Sequence, residues 1–350
     1  MDIKKLVRQN ILNLKPYTSA RDLYSNGILL DANENSIGST FTEINGLNLN
    51  RYPDPHQNDL RDLISNRLNI TKENLFFGVG SDEIIDLLIR IFCEPGKNRI
   101  MIPEPTYGMY RVSADINNVS IVSVLLNDDF QIDFDEIEKN YSEDIKVIFL
   151  CSPNNPTGNL LNKDDVLKLC MRYYSIIIID EAYIDFADGG SLINEVNNYP
   201  NLIVMRTFSK AWGLAGVRLG FCVANELIIK LLFKVKAPYN INTLTRYALK
   251  KAINNEKLKN YYIKTIIKER EKLLQELSKL NGISKIFDSD ANFLLIKCDN
   301  TKNVLQKLAN KGIIIRDRSD QPKLEDCLRI SVGTEKQNII LLDALKEIMK

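Results

Sequence analysis

The sequence predicts an α/β protein built on a mostly parallel sheet, followed by a smaller α+β unit. Three observations carry this. Between about residue 74 and residue 224, short strand-like runs alternate with helical ones. Two of those runs, DIKVIFLC (144–151) and YYSIIIIDEA (173–182), are continuously apolar and β-branched, the pattern of strands covered on both faces. After about residue 290 a shorter mixture of strands and helices begins.

Taken in order, NLFFGV (74–79) reads as a strand. SDEIIDLLIRIF (81–92) reads as a helix opened by Ser81 and closed by the EPG that follows. RIMIPEP (99–105) and VSIVSVLL (119–126) are short strands. The helical NKDDVLKLCMRYY (162–174) lies between the two apolar strands, and NLIVMRTFS (201–209) and RLGFCVA (218–224) are further strands. An amphipathic helix over roughly 257–280 links this part to NFLLIKC (292–298), a helix through KNVLQKLANKG (302–312), IIIRD (313–317), LRISVG (328–333) and a last helix.

Composition narrows the function. The 46 Lys and Arg against 45 Asp and Glu leave a net charge of +1, so no overall basic field draws nucleic acid or an anionic membrane. The basic cluster 264–272 alternates with acids and reads as a solvated helix face. No apolar run has the length of a membrane span, and the N-terminus has no uninterrupted apolar core of a secretory signal. Six cysteines without a C-x-x-C pair are expected to be reduced and buried, as in a cytoplasmic protein. The one histidine, His56, lies in the turn-rich RYPDPHQND and reads as a surface loop residue. That leaves no material for a multi-histidine zinc site, and no nucleophile elbow accompanies it.

Four loops hold the chemistry. LCSPNNPTG (150–158) ends a buried strand and would hold Asn155 on a stiff turn. IIIIDEAYIDF (176–186) puts Asp180 at the end of the most apolar strand, where a carboxylate is costly without a cation or strong donor, and Tyr183 follows. GVGSDE (78–83) offers free N–H groups at a helix start, a plausible phosphate cradle that is neither a Walker A loop nor a dinucleotide fingerprint. RTFSKAWGLAGVRLGF (206–221) sets Lys210 beside Ser209, with Arg218 eight residues on and three glycines permitting close approach. Three of the loops have a plain alternative: a turn, an N-cap at Asp180, an N-cap at Ser81. Together they supply an amine nucleophile, a carboxylate, neutral Asn and Tyr, and an anion pocket, the set that pyridoxal 5′-phosphate requires. A dehydrated site near Arg218 is expected to lower the lysine's pKa.

With SPNNPTG, DEAY and the S-K-x₇-R spacing, the chain resembles the fold-type I pyridoxal-phosphate aminotransferases. RYPDP, FCEPG and PTYGMY are similar to the branch of that superfamily acting on histidinol phosphate. The resemblance implies a large domain with a mostly parallel seven-stranded sheet over 41–256 that binds the cofactor. It also implies a small α+β domain over 257–350, and an N-terminal segment 1–40 that joins the small domain and caps the active site. It implies that Lys210 carries the cofactor as a Schiff base and moves a proton, and that Asp180 keeps the ring nitrogen protonated. Asn155 and Tyr183 would bond the phenolic oxygen, and Tyr107 would stack on the ring. Ser81 and Asp82 (mainly through backbone N–H), Ser209, Arg218, and Tyr52 from the other subunit of a homodimer would bind the phosphate. Arg329 would grip in turn the phosphate of histidinol phosphate and a carboxylate of 2-oxoglutarate or glutamate, a dual task suited to a guanidinium fork. Arg316 and Tyr17 would help, with Asn155 also facing the substrate; for Arg316 a structural salt bridge is the plain alternative.

The sequence departs from the branch where NENS (33–36) replaces NENP and where SDE stands for ADE or TDE. The same residues would serve an aromatic amino-acid aminotransferase or a threonine-phosphate decarboxylase-like enzyme. A non-enzymatic regulator of this fold is expected to carry an added helix-turn-helix domain, for which the residues before LDANEN are too few.

Overall fold

The computed structural model describes residues 28–30, 33 and 53–349. In chain order its elements are β1 (Ile28–Leu29), α1 (Asn58–Leu68), β2 (Leu75–Gly78), α2 (Gly80–Phe92), β3 (Arg99–Glu104), α3 (Met109–Ile116) and β4 (Ser120–Leu125). Next come α4 (Phe134–Asn140), β5 (Ile145–Cys151), α5 (Lys163–Arg172), β6 (Ile176–Asp180), β7 (Leu202–Thr207), β8 (Gly220–Val223), α6 (Glu226–Val235) and α7 (Thr243–Ala252). The long α8 (Glu256–Leu277) leads to β9 (Ile283–Ile286), β10 (Phe293–Cys298), α9 (Thr301–Asn310), β11 (Ile313–Ile314), β12 (Arg316–Asp317), β13 (Cys327–Ser331) and α10 (Glu335–Ile348).

Seven strands form one sheet in the order β2-β8-β7-β6-β5-β3-β4. Only β8 runs against the rest, pairing antiparallel with both β2 and β7. The apolar runs read from the sequence are its central strands, and their alternate residues feed two cores. Ile148, Leu150, Ile177, Ile179 and Val204 pack on one face, and Val147, Phe149, Ile178, Ile203 and Met205 on the other. Full burial of each such side chain contributes roughly 1.5–3 kcal/mol. This explains why these strands lack polar alternation.

The second sheet is antiparallel, in the order β12-β13-β10-β9, and has its own core around Leu294, Ile296, Leu308, Leu328 and Leu341. A small cluster joins the two sheets, with Tyr183, Phe186 and Ala211 from the large sheet's loops against Ala291, Phe293 and Val332. The IIIRD run is not one strand. Ile313–Ile314 pairs with β1, while Arg316–Asp317 pairs with β13, so the chain changes sheet at the buried Ile315.

Two boundaries differ from expectation for local reasons. Helix α2 opens at Gly80, not at Ser81; Val79 is its N-cap and donates its N–H to Glu83 at 2.6 Å. The hydroxyl of Ser81 caps nothing there. Arg218 lies outside β8, in a left-handed conformation (φ 53°) that ends a short 3-10 turn at Ala215–Val217. His56 is exposed, and all six cysteines are buried and free. Among the described residues no helix is long and apolar enough to cross a membrane.

Candidate active site

The carboxyl ends of parallel strands β5, β6 and β7 lie level. Cys151 is opposite Asp180, and Asp180 opposite Met205. Side chains leaving a parallel sheet at that edge converge on one crevice. Here the crevice is a cavity of about 320 Å³ lined by Ser81, Asp82, Tyr107, Asn155, Asp180, Tyr183, Ser209, Lys210 and Arg218. Nine residues drawn from five separate segments of the chain thus meet around one space.

Lys210 is placed by a compact loop after β7. Phe208 N–H bonds the Leu219 carbonyl at 3.1 Å, and Gly213 N–H bonds the Lys210 carbonyl at 3.0 Å. Phe208, Trp212, Leu214 and Leu219 are buried and anchor this loop, so the lysine between them is held half-buried at the cavity wall. Its Nζ stands 5.7 Å from the centre of the Tyr183 ring. Ser209 receives a bond 2.9 Å long from Thr207 Oγ1, another cavity residue.

At the helix end, Gly220 and Gly80 allow the approach. A Cβ at Gly220 would lie 2.7 Å from Gly80 C and Ser81 N, and one at Gly80 would lie 2.7 Å from the Arg218 guanidinium. Backbone N–H groups of the first turn of α2 therefore lie beside a guanidinium, an anion cradle by both dipole and charge. The Asp82 side chain has a place of its own: it accepts from Arg218 at 3.1 Å and from the Tyr107 hydroxyl at 3.3 Å.

Asp180 is buried to 2 % exposure. Its Oδ2 accepts from Tyr110 at 3.1 Å and its Oδ1 from the Ala182 N–H at 3.1 Å. Burial drives its pKa up to about 7, against those two donors and with Asp82 and Glu181 adding to the rise. A carboxylate so placed is stabilised by a cation or N–H donor arriving in the cavity. The neighbouring Glu181 is turned away, paired with Arg206 at 2.9 Å and bonded by the Leu192 N–H at 2.6 Å.

Of the paired asparagines, Asn154 is structural: it bonds Thr106, Thr157 and the Pro105 carbonyl. Asn155 faces the site, donating to the Tyr183 hydroxyl at 3.4 Å and accepting from Arg329. Arg329 is itself buried, on β13, with its guanidinium 5.3 Å from the centre of the Phe293 ring. It adjoins the cavity through Asn155. Arg316 lies opposite Arg329 on β12 and does not line the cavity. Tyr17 and Tyr52 lie outside the described residues.

Four residues escaped the sequence reading. Tyr110 sits on α3, an element the sequence pattern did not signal, three residues after Tyr107 in PTYGMY. Asn33 donates to Tyr183 across 150 residues of chain, a contact without local signal. Cys151 and Thr207 line the cavity as the last residues of their strands.

A lysine, a buried carboxylate, an amide–phenol pair and an anion cradle at the edge of this sheet define a cofactor-dependent group-transfer enzyme. The chain belongs to the aminotransferase class I and II family, whose model matches residues 25–345, and pyridoxal 5′-phosphate is the cofactor of that class. Among curated relatives, the histidinol-phosphate aminotransferase of Cytophaga hutchinsonii is 48% identical over 346 residues, 98% of each chain. Among solved structures, the histidinol-phosphate aminotransferase of Clostridium acetobutylicum is 29% identical, with a TM-score of 0.83 over 92% of this chain and 99% of that one. The Sinorhizobium meliloti enzyme of the same name, solved with pyridoxal-5′-phosphate, shares the fold at 21% identity, with a TM-score of 0.86 over 98% of this chain and 97% of that one.

Proposed function

We propose that this protein is a histidinol-phosphate aminotransferase: it exchanges an amino group reversibly between histidinol phosphate and 2-oxoglutarate, giving imidazole acetol phosphate and glutamate. The observation that carries the reading is the convergence of Lys210, Asp180, Asn155, Tyr183 and Arg218 on one cavity, with Arg329 tied to it through Asn155. The cavity's residues fit pyridoxal phosphate. Its phosphate suits the cradle of Ser81, Asp82, Ser209 and Arg218, and its protonated ring nitrogen answers the buried charge of Asp180.

When bound, the cofactor supplies an electrophilic carbonyl and a conjugated ring that can accept an electron pair from the substrate's Cα. The chain's residues do the rest. Lys210 Nζ would hold the cofactor and, once the substrate's amine has displaced it, would be free to take the proton from Cα and return it to the cofactor's carbonyl carbon. Asp180 would hold positive charge at the ring nitrogen, Tyr107 would cover the ring, and Asn155 with Tyr183 would bind its phenolic oxygen. Arg329 binds the anionic end of each substrate in turn, assisted by Arg316 and Tyr17.

We further propose a cytoplasmic homodimer in which Tyr52 of one subunit reaches the phosphate site of the other, and a division of the chain at about residues 40 and 256. The thiols' burial in a reduced state supports the compartment.

The test is to record the visible absorption of the purified protein and add histidinol phosphate without a keto acid. Conversion of the cofactor band supports cofactor, half-reaction and substrate together. A response confined to phenylalanine or tyrosine moves the substrate, and a protein that stays colourless after incubation with pyridoxal phosphate overturns the reading.

A further inference from the structure

The hydroxyl oxygen of Tyr183 lies between two amides. Asn33 Nδ2 donates to it at 3.2 Å and Asn155 Nδ2 at 3.4 Å. Both amides have their orientation fixed from behind. Asn155 Oδ1 accepts from Arg329 Nη1. Asn33 Oδ1 accepts from Ser331 Oγ at 2.6 Å, while that hydroxyl accepts the Asn33 backbone N–H at 2.9 Å. Arg329 and Ser331 are two residues apart on β13 and share a face. The side chains therefore close a ring, Arg329–Asn155–Tyr183–Asn33–Ser331, every member of which is at most 5 % exposed.

A phenol oxygen has two lone pairs and one hydrogen. With N–H donors on both lone pairs, the hydrogen has to point away from the ring, toward the cavity that Tyr183 lines with Lys210 and Asp180. We propose that Asn33 is a positioning residue: it holds the Tyr183 oxygen as an acceptor and so aims the Tyr183 hydrogen at the molecule bound in the cavity. This deepens the proposed function and rests on it.

Asn33 is built for the task. Its φ of 51° is left-handed, a conformation Asn tolerates better than most residues, and Asn292 Nδ2 secures its carbonyl at 2.9 Å. The groups facing Tyr183 are Arg329, Asn33, Asn155, Cys151, Asp180 and Lys210. Burial lifts its pKa to about 12 although Arg329 and Asn33 pull it down. It is thus a neutral donor at neutral pH.

The experiment uses Asn33→Asp, which keeps shape, left-handed tolerance and the bond from Ser331 but replaces the amide donor with an acceptor. Tyr183 then donates to the new carboxylate and turns from the cavity. The cofactor-loaded protein is titrated by its visible absorption from neutral to alkaline pH. An oxygen on the bound molecule that loses its donor holds its proton more tightly, so N33D and Y183F should each raise the apparent pKa by about one unit.

In the double variant the two shifts should coincide, not add. Ser331→Ala, which releases Asn33 Oδ1, should give a smaller shift in the same direction, and it serves if N33D does not fold. An unaltered titration in both N33D and S331A, or additive shifts in the double variant, overturns the role of Asn33 alone. An unaltered titration in Y183F means that Tyr183 does not touch the bound oxygen. The functional reading of Tyr183 then falls, and this inference with it.

Discussion

Tyr110 donates its hydroxyl to Asp180 Oδ2 at 3.1 Å from beneath the cavity floor, with its ring stacked on Phe149 at 4.7 Å between centroids. The bond opposes the burial that lifts the Asp180 pKa. A bond to a charged group contributes roughly 1.5–3 kcal/mol. Tyr110→Phe should therefore lower kcat roughly tenfold or more, with Michaelis constants little changed because Tyr110 does not line the cavity. Losing the donor raises the proton affinity of Asp180, so the acidic limb of the pH–rate profile should move to higher pH. An unmoved limb would count against this coupling.

The charge of Asp180 is a burden on the cofactor-free protein. Its pKa is raised from 3.8 to about 7 on folding, so between those values the folded state binds the extra proton and stability falls as pH rises. At pH above about 7 the cost is fully present. Asp180→Asn should raise the melting temperature of the cofactor-free protein there by roughly 3 °C, and have little effect at acidic pH. Turnover should be poor in the same variant, since a neutral amide does not hold a ring cation. Normal turnover would remove Asp180 from the mechanism.

Asp82 pairs with the Arg218 guanidinium, which under the proposed function it would share with the incoming phosphate. Both side chains are well exposed, at 37% and 50%, so solvent screens the pair. Asp82→Asn should tighten binding of inorganic phosphate and of the cofactor to the cofactor-free chain by only about two- to fivefold, and the gain should vanish at high salt. Trp212 fluorescence reads the titration. Weaker binding would mean that the carboxylate orients Arg218 more than it competes for it.

Gly220 has no room for a side chain, its Cβ position lying 2.7 Å from the backbone at Gly80 and Ser81. Gly220→Ala should cost about 1–3 kcal/mol of stability through overpacking and push the first turn of α2 from the cradle. Cofactor affinity should fall with it. Retained affinity in a destabilised variant would separate the packing from the cradle.

Arg329→Ala removes a buried cation that the reading assigns to two anions in turn. The Michaelis constants for histidinol phosphate and for 2-oxoglutarate should both rise, each by roughly thirtyfold or more. If only one rises, the shared anion site is wrong.

Much of the architecture was legible because local chemistry imposes it. Runs such as IIIID have no polar alternation, so they can only be strands covered on both faces, and they became β5 and β6 at the sheet centre. The IIIRD run misled because two-residue strand pairings leave no periodicity, and the switch between sheets at Ile315 depends on partners far along the chain. Ser81 read as a cap because its type favours that role, but the turn begins a residue earlier, where Val79 takes Glu83.

The site divides in the same way. Local residue pattern was enough to mark the groups at strand ends, because each of the four loops leaves a strand or opens a helix recognisable from its own residues: Asn155, Asp180 with Tyr183, Ser81 with Asp82, and Ser209 with Lys210. What those groups do to each other is set by the folded arrangement. Asp82 lies 136 residues from Arg218, Asn33 lies 150 from Tyr183, and Asn155 lies 174 from Arg329. Hydrogen-bond direction and the desolvation of a carboxylate arise from neighbours in space, and no spacing along the chain encodes them.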